Sequence, residues 1–149
     1  MTNMVEVKID TAKLDRIQAE LAGRLIPRIV RRHGEQLNAL MRVKLYQVVN
    51  RRTGHTGESI QAEFKDVPGG AEAQVGPESE VGPWIEFGTE PHTILPKNRQ
   101  ALFWEGAEHP VKRVEHPGTK PRPFMRPSLD EQGPRFVEDI RNTIAGLAR

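Results

Sequence analysis

The stretch Ile60-Gln61-Ala62-Glu63-Phe64-Lys65 alternates apolar and polar residues, Pro68-Gly69-Gly70 turns the chain, and Ala71-Glu72-Ala73-Gln74-Val75 alternates again. A two-residue period on both sides of a Pro-Gly turn predicts an antiparallel hairpin with one buried face. The residues before it follow a different period. Leu14, Ile17, Leu21, Leu25 and Ile29 recur every three or four positions, and Leu37, Leu40, Met41, Leu45 and Val48 continue the stripe. That spacing predicts a long amphipathic helix. Pro27 lies inside it, which predicts a kink, or two helices meeting, near Leu25 to Pro27, because an interior proline removes a hydrogen bond and crowds the preceding turn. Helix, hairpin and a second helix predict an α+β domain: a long, kinked N-terminal helix and a C-terminal helix packed on a small antiparallel sheet.

Outward from this core the signals shorten. Val5, Val7 and Ile9 alternate with Glu6 and Lys8 as a short strand would, and Asp10 is placed to cap the first helix. Trp84 to Phe87 reads as a short strand or one helical turn, and Ala101 to Trp104 with Val111 to Val114 reads as a second hairpin. Leu129, Phe136, Val137, Ile140, Ile144 and Leu147 predict the closing helix, with Pro127 at or just before its start and Gly133-Pro134 delaying it. At 149 residues the chain is expected to be one domain, 1–149, with a long Pro/Gly-rich loop or arm over 88–127.

Charge is segregated along the chain. Residues 24–52 carry eight Lys/Arg against Glu35, residues 53–91 carry eight acids against Lys65, and residues 92–126 carry seven basic residues against three acids. Two uses follow: a basic helix neutralises phosphates, and opposite patches favour head-to-tail packing of copies. The plain alternative is that the patches are solvated or pair within the monomer. With no cysteine, the chain has no disulfide framework or thiolate metal site and suits a reducing compartment. No apolar run of about 18 residues occurs, so a soluble, unexported protein without a membrane partner is expected.

Chemistry is sparse. Ser59, Ser79 and Ser128 lie in no nucleophile-elbow setting, and no Walker-type loop is present. Glu86, His92, His109 and His116 are the best metal candidates, yet none has the compact helical spacing of a metal motif. No catalytic residue, metal or cofactor is expected. Arg24, Arg28, Arg31, Arg32 and Arg42 lie on or near one helix and support an alternative reading, a small nucleic-acid-binding module using the basic helix 24–52. Interleaved aromatics for stacking and a recognition motif are missing, so specific nucleic-acid readout is not expected.

The order of motifs carries more. Thr56-Gly57-Glu58-Ser59-Ile60 is followed by Val75-Gly76-Pro77, then Trp84 and Glu86-Phe87-Gly88-Thr89, then His92-Thr93-Ile94-Leu95-Pro96-Lys97 and Ala101-Leu102-Phe103-Trp104, and finally His116-Pro117-Gly118 and Pro123-Phe124-Met125-Arg126-Pro127. This order resembles the tail-completion, or head-to-tail joining, proteins of long-tailed bacteriophages, over most of the chain. Trp84 stands where that family commonly has Tyr-Ala, and Gly133-Pro134 breaks its uniform final helix.

The resemblance implies a non-enzymatic virion protein, made in the host bacterial cytoplasm and located at the neck or tail. It implies a homo-oligomeric ring, a hexamer in the family, that contacts other neck or tail proteins. The assembly residues expected on this basis are Arg24, Arg28, Arg31, Arg32, Trp84, Glu86, Gly88, Thr89, His92, Pro96, Lys97, His116, Pro117, Gly118, Arg122, Pro123, Phe124, Arg126 and Pro127. Residues 116–127, if extended, reach roughly 35 Å. They are expected to strap across a neighbour with Phe124 as anchor and Arg122 and Arg126 as flanks, or else Phe124 packs beneath its own closing helix. Gly88 is expected to permit a tight turn and Glu86 to accept bonds from the backbone of that turn, so that both serve the fold.

Overall fold

The computed structural model describes residues 11–50 and 54–147. The strand expected over Val5 to Ile9 and the cap expected of Asp10 lie outside the described residues. Helix α1 (Ala12–Glu20) passes through a π-helical turn (Leu21–Leu25) into α2 (Ile26–Val48). The break expected at Pro27 takes this form. Pro27 sits in the first turn of α2, where a missing N–H costs least, and the widened turn before it lets the Ile26 N–H reach back five residues to the Leu21 carbonyl. No residue of α1 is buried, whereas α2 buries Ile29, Val30, His33, Met41 and Leu45. The apolar stripe therefore becomes core only after the π turn.

A four-residue helix, α3 (His55–Glu58), leads into the hairpin β1 (Ile60–Val67) and β2 (Gly70–Pro77). Its register pairs Ala62 with Val75 and Phe64 with Ala73, which sets the expected apolar faces together against α2. Trp84 to Phe87 takes the helical of its two expected forms, as the last turn of α4 (Val81–Phe87). The fold is α+β, as the two periodicities require, with small two-stranded antiparallel sheets.

The expected second hairpin is corrected. Its paired strands are β3 (His92–Ile94) and β4 (Val114–His116), and of the residues expected to form it only Leu102 and Val111 bridge. Three residues per strand carry too little periodicity to fix a pairing from sequence. Helix α5 (Met125–Leu147) is a second correction: it starts before Pro127 and runs through Gly133-Pro134. Pro127 still sits in the first turn, where its missing donor is tolerated. Pro134 leaves the carbonyl of Asp130 without its helical partner, at an exposed residue open to solvent. Packing along α2 holds α5 together across this weak point.

The core gathers Met41 and Leu45 of α2, Ile60 at the start of β1, and Phe124 just ahead of α5, with Leu37, Val48, Val75, Ile85 and Met125 against them. Arg42 donates to the Ile60 carbonyl at 2.7 Å, tying the strand's first residue to the helix. The buried core thus joins three segments of the chain at one point.

Candidate functional site

Glu86 is the organising side chain of the segment 84–127. It is buried on the inner face of α4, and its carboxylate accepts the backbone N–H groups of Phe124 (2.7 Å), Met125 (2.8 Å) and Arg126 (3.0 Å). Those are donors that a helix start leaves without intrahelical partners, and a carboxylate also matches the positive end of the α5 dipole. Glu86 caps α5 from another helix.

The neighbouring backbone completes this clasp. The Arg122 N–H donates to the Ile85 carbonyl at 2.8 Å, and Thr89 and Thr119 exchange both backbone bonds at 3.0 Å. Gly88 and Gly118 hold φ of +73° and +82°, and a Cβ at either would run into backbone, at Thr119 for Gly88 and at Thr89 for Gly118. Both positions therefore need glycine for conformation and for space. Phe124 follows and is fully buried. Of the two expectations for Phe124 the structure shows the second, packing within its own chain: the segment 119–126 is bonded to 85–89, and Phe124 lies in the core instead of anchoring a strap on a neighbour. Phe124 lies there because Glu86 draws the backbone of 124–126 inward.

Above the clasp the chain rises as an antiparallel arm. The bridge Thr89–Thr119 shares its register with β3 and β4, where His92 faces His116 with ring centroids 5.0 Å apart. The His92 Nδ1–H donates to the Glu90 carbonyl at 2.8 Å, and His116 Nδ1 accepts the Gly118 N–H at 3.0 Å. Thr93 donates to Glu115 at 2.8 Å, and Arg113 pairs with the same carboxylate. Among the described residues no group of three or more metal-ligating side chains converges. Glu86 is turned away to α5, and Ser59, the serine nearest His55, has its hydroxyl bonded to the Thr56 carbonyl at 2.8 Å. Its oxygen also accepts the Ser79 N–H.

What the arm exposes is apolar. Phe103 and Trp104 at its tip are 68% and 50% exposed, and Leu95 on the arm is exposed as well. Trp84 and Phe87, with Val81, form a second exposed stripe on the outer face of α4, opposite Gly82 and Glu86. Adjacent large aromatics left in water are a feature of surfaces that become covered. Pro96 is half-buried along the arm, while Lys97, Pro117, Arg122, Pro123 and the Arg126 side chain face solvent. Pro127 is half-buried in the first turn of α5.

The basic helix is largely engaged within the monomer. Arg31 lies over the Phe64 ring at 4.7 Å, Arg32 pairs with Asp139, and Lys44 pairs with Glu131 at 3.0 Å. Arg24 and Arg28 are exposed and make no ion pair among the described residues. Among the described residues, the acids that pair with the helix belong to α5, while Glu63, Asp66 and Glu72 of the hairpin are exposed. This leaves less free cation along α2 for a phosphate backbone than the sequence count suggests.

One buried polar cluster has no counterpart in the sequence reading. The Gln132 side-chain amide donates to Gln36 and to His33 Nδ1, both at 2.7 Å, so His33 carries its proton on Nε2 and donates to Asp139 at 2.9 Å. Burial, and secondly the Arg32 charge, hold the His33 imidazole below its ordinary value and so neutral. The signal was present: His33 stands four residues from both Ile29 and Leu37, on the apolar stripe. Comparison of the chain with protein-family models, with curated proteins and with solved structures finds no match.

Proposed function

We propose that this chain is a non-enzymatic structural subunit of a long-tailed bacteriophage virion, joining head or neck to tail by assembling with copies of itself and with neighbouring neck or tail proteins. The observation that carries the reading is a rigid root beneath an exposed apolar tip. The motifs that give the resemblance, 84–89 and 116–127, grip each other, and the residues between them are held out as an arm ending in Phe103 and Trp104. A clasp that fixes an arm lowers the ordering cost of any contact the arm makes. Supporting it further are the outward acids of the hairpin and the exposed cations of the arm, which suit contact between unlike faces of adjacent copies. A closed ring, six-membered by the resemblance, follows from such a contact repeated with rotation.

The test is interruption of the reading frame in the phage or prophage that encodes it. DNA-filled heads and finished tails are expected to accumulate unjoined, as seen by electron microscopy, with joining restored by the intact protein in trans. Normal infectious particles formed without the protein overturn the reading.

A further inference from the structure

We propose that residues 5–9 of one copy pair, as a third strand, with the free edge of β2 on a second copy; this rests on the reading of the chain as a self-associating subunit. The hairpin is a two-stranded sheet, so among the described residues the outer edge of β2 has no strand beside it. An unpaired edge accepts an extended segment that brings backbone donors and acceptors of its own. Beneath this edge the surface is apolar. β2 and α5 both pack on α2, and a groove of about 250 Å³ lies between them, lined by Val30, Leu37, Ala71, Ala73, Leu129 and Phe136. No Lys, Arg, Asp or Glu lines it, and its polar side chains, His33 and Gln132, are bonded to each other. Ala73 faces α2 at Gly34 and is nevertheless exposed, because its flank opens into the groove.

Val5, Val7 and Ile9, alternating with Glu6 and Lys8, match that edge. Laid antiparallel to β2 with Val7 opposite Ala73, the three apolar residues stand over α2 beside Val75, Ala73 and Ala71. Lys8 then falls opposite Glu72, and Glu6 opposite Gln74. Laid parallel, the same segment sets Glu6 against Glu72, so charge selects the antiparallel register.

Reach selects the second copy. A Cβ on Gly70 would lie 3.5 Å from the Ile26 side chain, which puts the near end of β2 at the start of α2, and Ala73 lies deeper, at Gly34. From Ile26 back to Ala12 the helix runs roughly 20 Å the other way. The chain from residue 9 to Ala12 extends only about 10 Å, so a copy's own segment falls short of its own β2. No residue of α1 is buried and Leu14 is 64% exposed, so α1 stands clear of its own body and carries the segment toward a neighbour. Donated strand and accepting edge are different surfaces, and the contact therefore repeats head to tail until a ring closes.

Two blocked variants and one cross-link test this. Val7→Asp sets a carboxylate against the apolar floor, and Gly133→Leu fills the groove from α5, where a Cβ meets nothing within 4 Å. Under conditions in which the parent forms rings, each variant alone is expected to stay monomeric in native mass spectrometry. Their mixture is expected to give a one-to-one complex that grows no further, since one supplies the edge and the other the strand. Opposite positions of paired strands bring Cβ atoms to about 5 Å, within reach of a disulfide after a small shift. Because the chain has no cysteine, Val7→Cys with Ala73→Cys in every copy is expected to give, on oxidation, a ladder of linked chains in non-reducing electrophoresis. If Gly133→Leu melts below the parent, Val7→Asp and the cross-link decide. Rings formed by Val7→Asp, disulfides confined within single chains, no disulfide at all, or a parent that stays monomeric overturns the strand exchange. Rings that persist in Val7→Asp leave the ring reading standing, and head-to-tail joining is judged separately by the particles made without the protein.

Discussion

The root and the tip of the arm are drawn from the same proline- and glycine-rich segment, yet they end in opposite states. At the root, residues 116–127 close on 84–89, and Glu86 and Phe124 disappear from solvent. At the tip, residues 95–113 hold one bridge, Leu102 to Val111, and leave Phe103 and Trp104 outside. The difference arises from what lies opposite. The root faces α4 and a helix start with unsatisfied donors, so a carboxylate and a phenyl ring are drawn in. At the tip, Phe103 and Trp104 have no such burial among the described residues. The surroundings of such a segment therefore decide whether it locks or presents.

The largest effect is expected at the root. Glu86→Ala strands three donors at the start of α5 and is expected to cost about 3–5 kcal/mol in urea unfolding. Phe124→Ala, which empties the core beside it, is expected to lose a similar amount, about 3–5 kcal/mol. A midpoint unchanged in Glu86→Ala breaks the contrast between a locked root and a free tip. Next comes Gly118→Ala, which combines a positive φ with a backbone clash. It is expected to cost about 1–3 kcal/mol and to speed hydrogen exchange at the Thr89 and Thr119 amides, with little change in α2.

A smaller, pH-dependent effect separates the α2–α5 seam from the clasp. His33 is held neutral in the fold, so the unfolded chain takes up its proton first as pH falls. Its contribution is therefore present above the ordinary value of 6.5 and is lost as pH drops from there toward the lowered folded value. Charging His33 also sets a proton against the amide that Gln132 directs at Nδ1. Unfolding free energy followed from pH 7.5 downward is expected to fall less in His33→Gln than in the parent; equal slopes refute the assignment. The smallest effect belongs to the tip: Phe103→Ser is expected to shift the unfolding free energy by under about 0.5 kcal/mol.

The fold was legible in the sequence where periodicity ran long. Ten apolar positions from Leu14 to Val48 mark one helix, and the alternation around Pro68-Gly69 marks a hairpin whose register follows from its turn. Short segments were not legible: three-residue strands carry almost no period, and Gly133-Pro134 reads as a break until α2 is seen packed along it. Within the candidate site, the importance of Glu86 and Gly88 was visible from residue type, but not the partner of either. Glu86 lies 38 positions before the first amide it holds.

By itself the sequence determined the long amphipathic helix and the alternating hairpin, because their periods depend on neighbours within a few residues. Tertiary structure alone decided that the proline segment clasps its own chain, that basic α2 is answered by α5, and that Phe103 and Trp104 stand in water. Those outcomes depend on which distant surfaces meet, and burial is a property of the meeting, not of the residue.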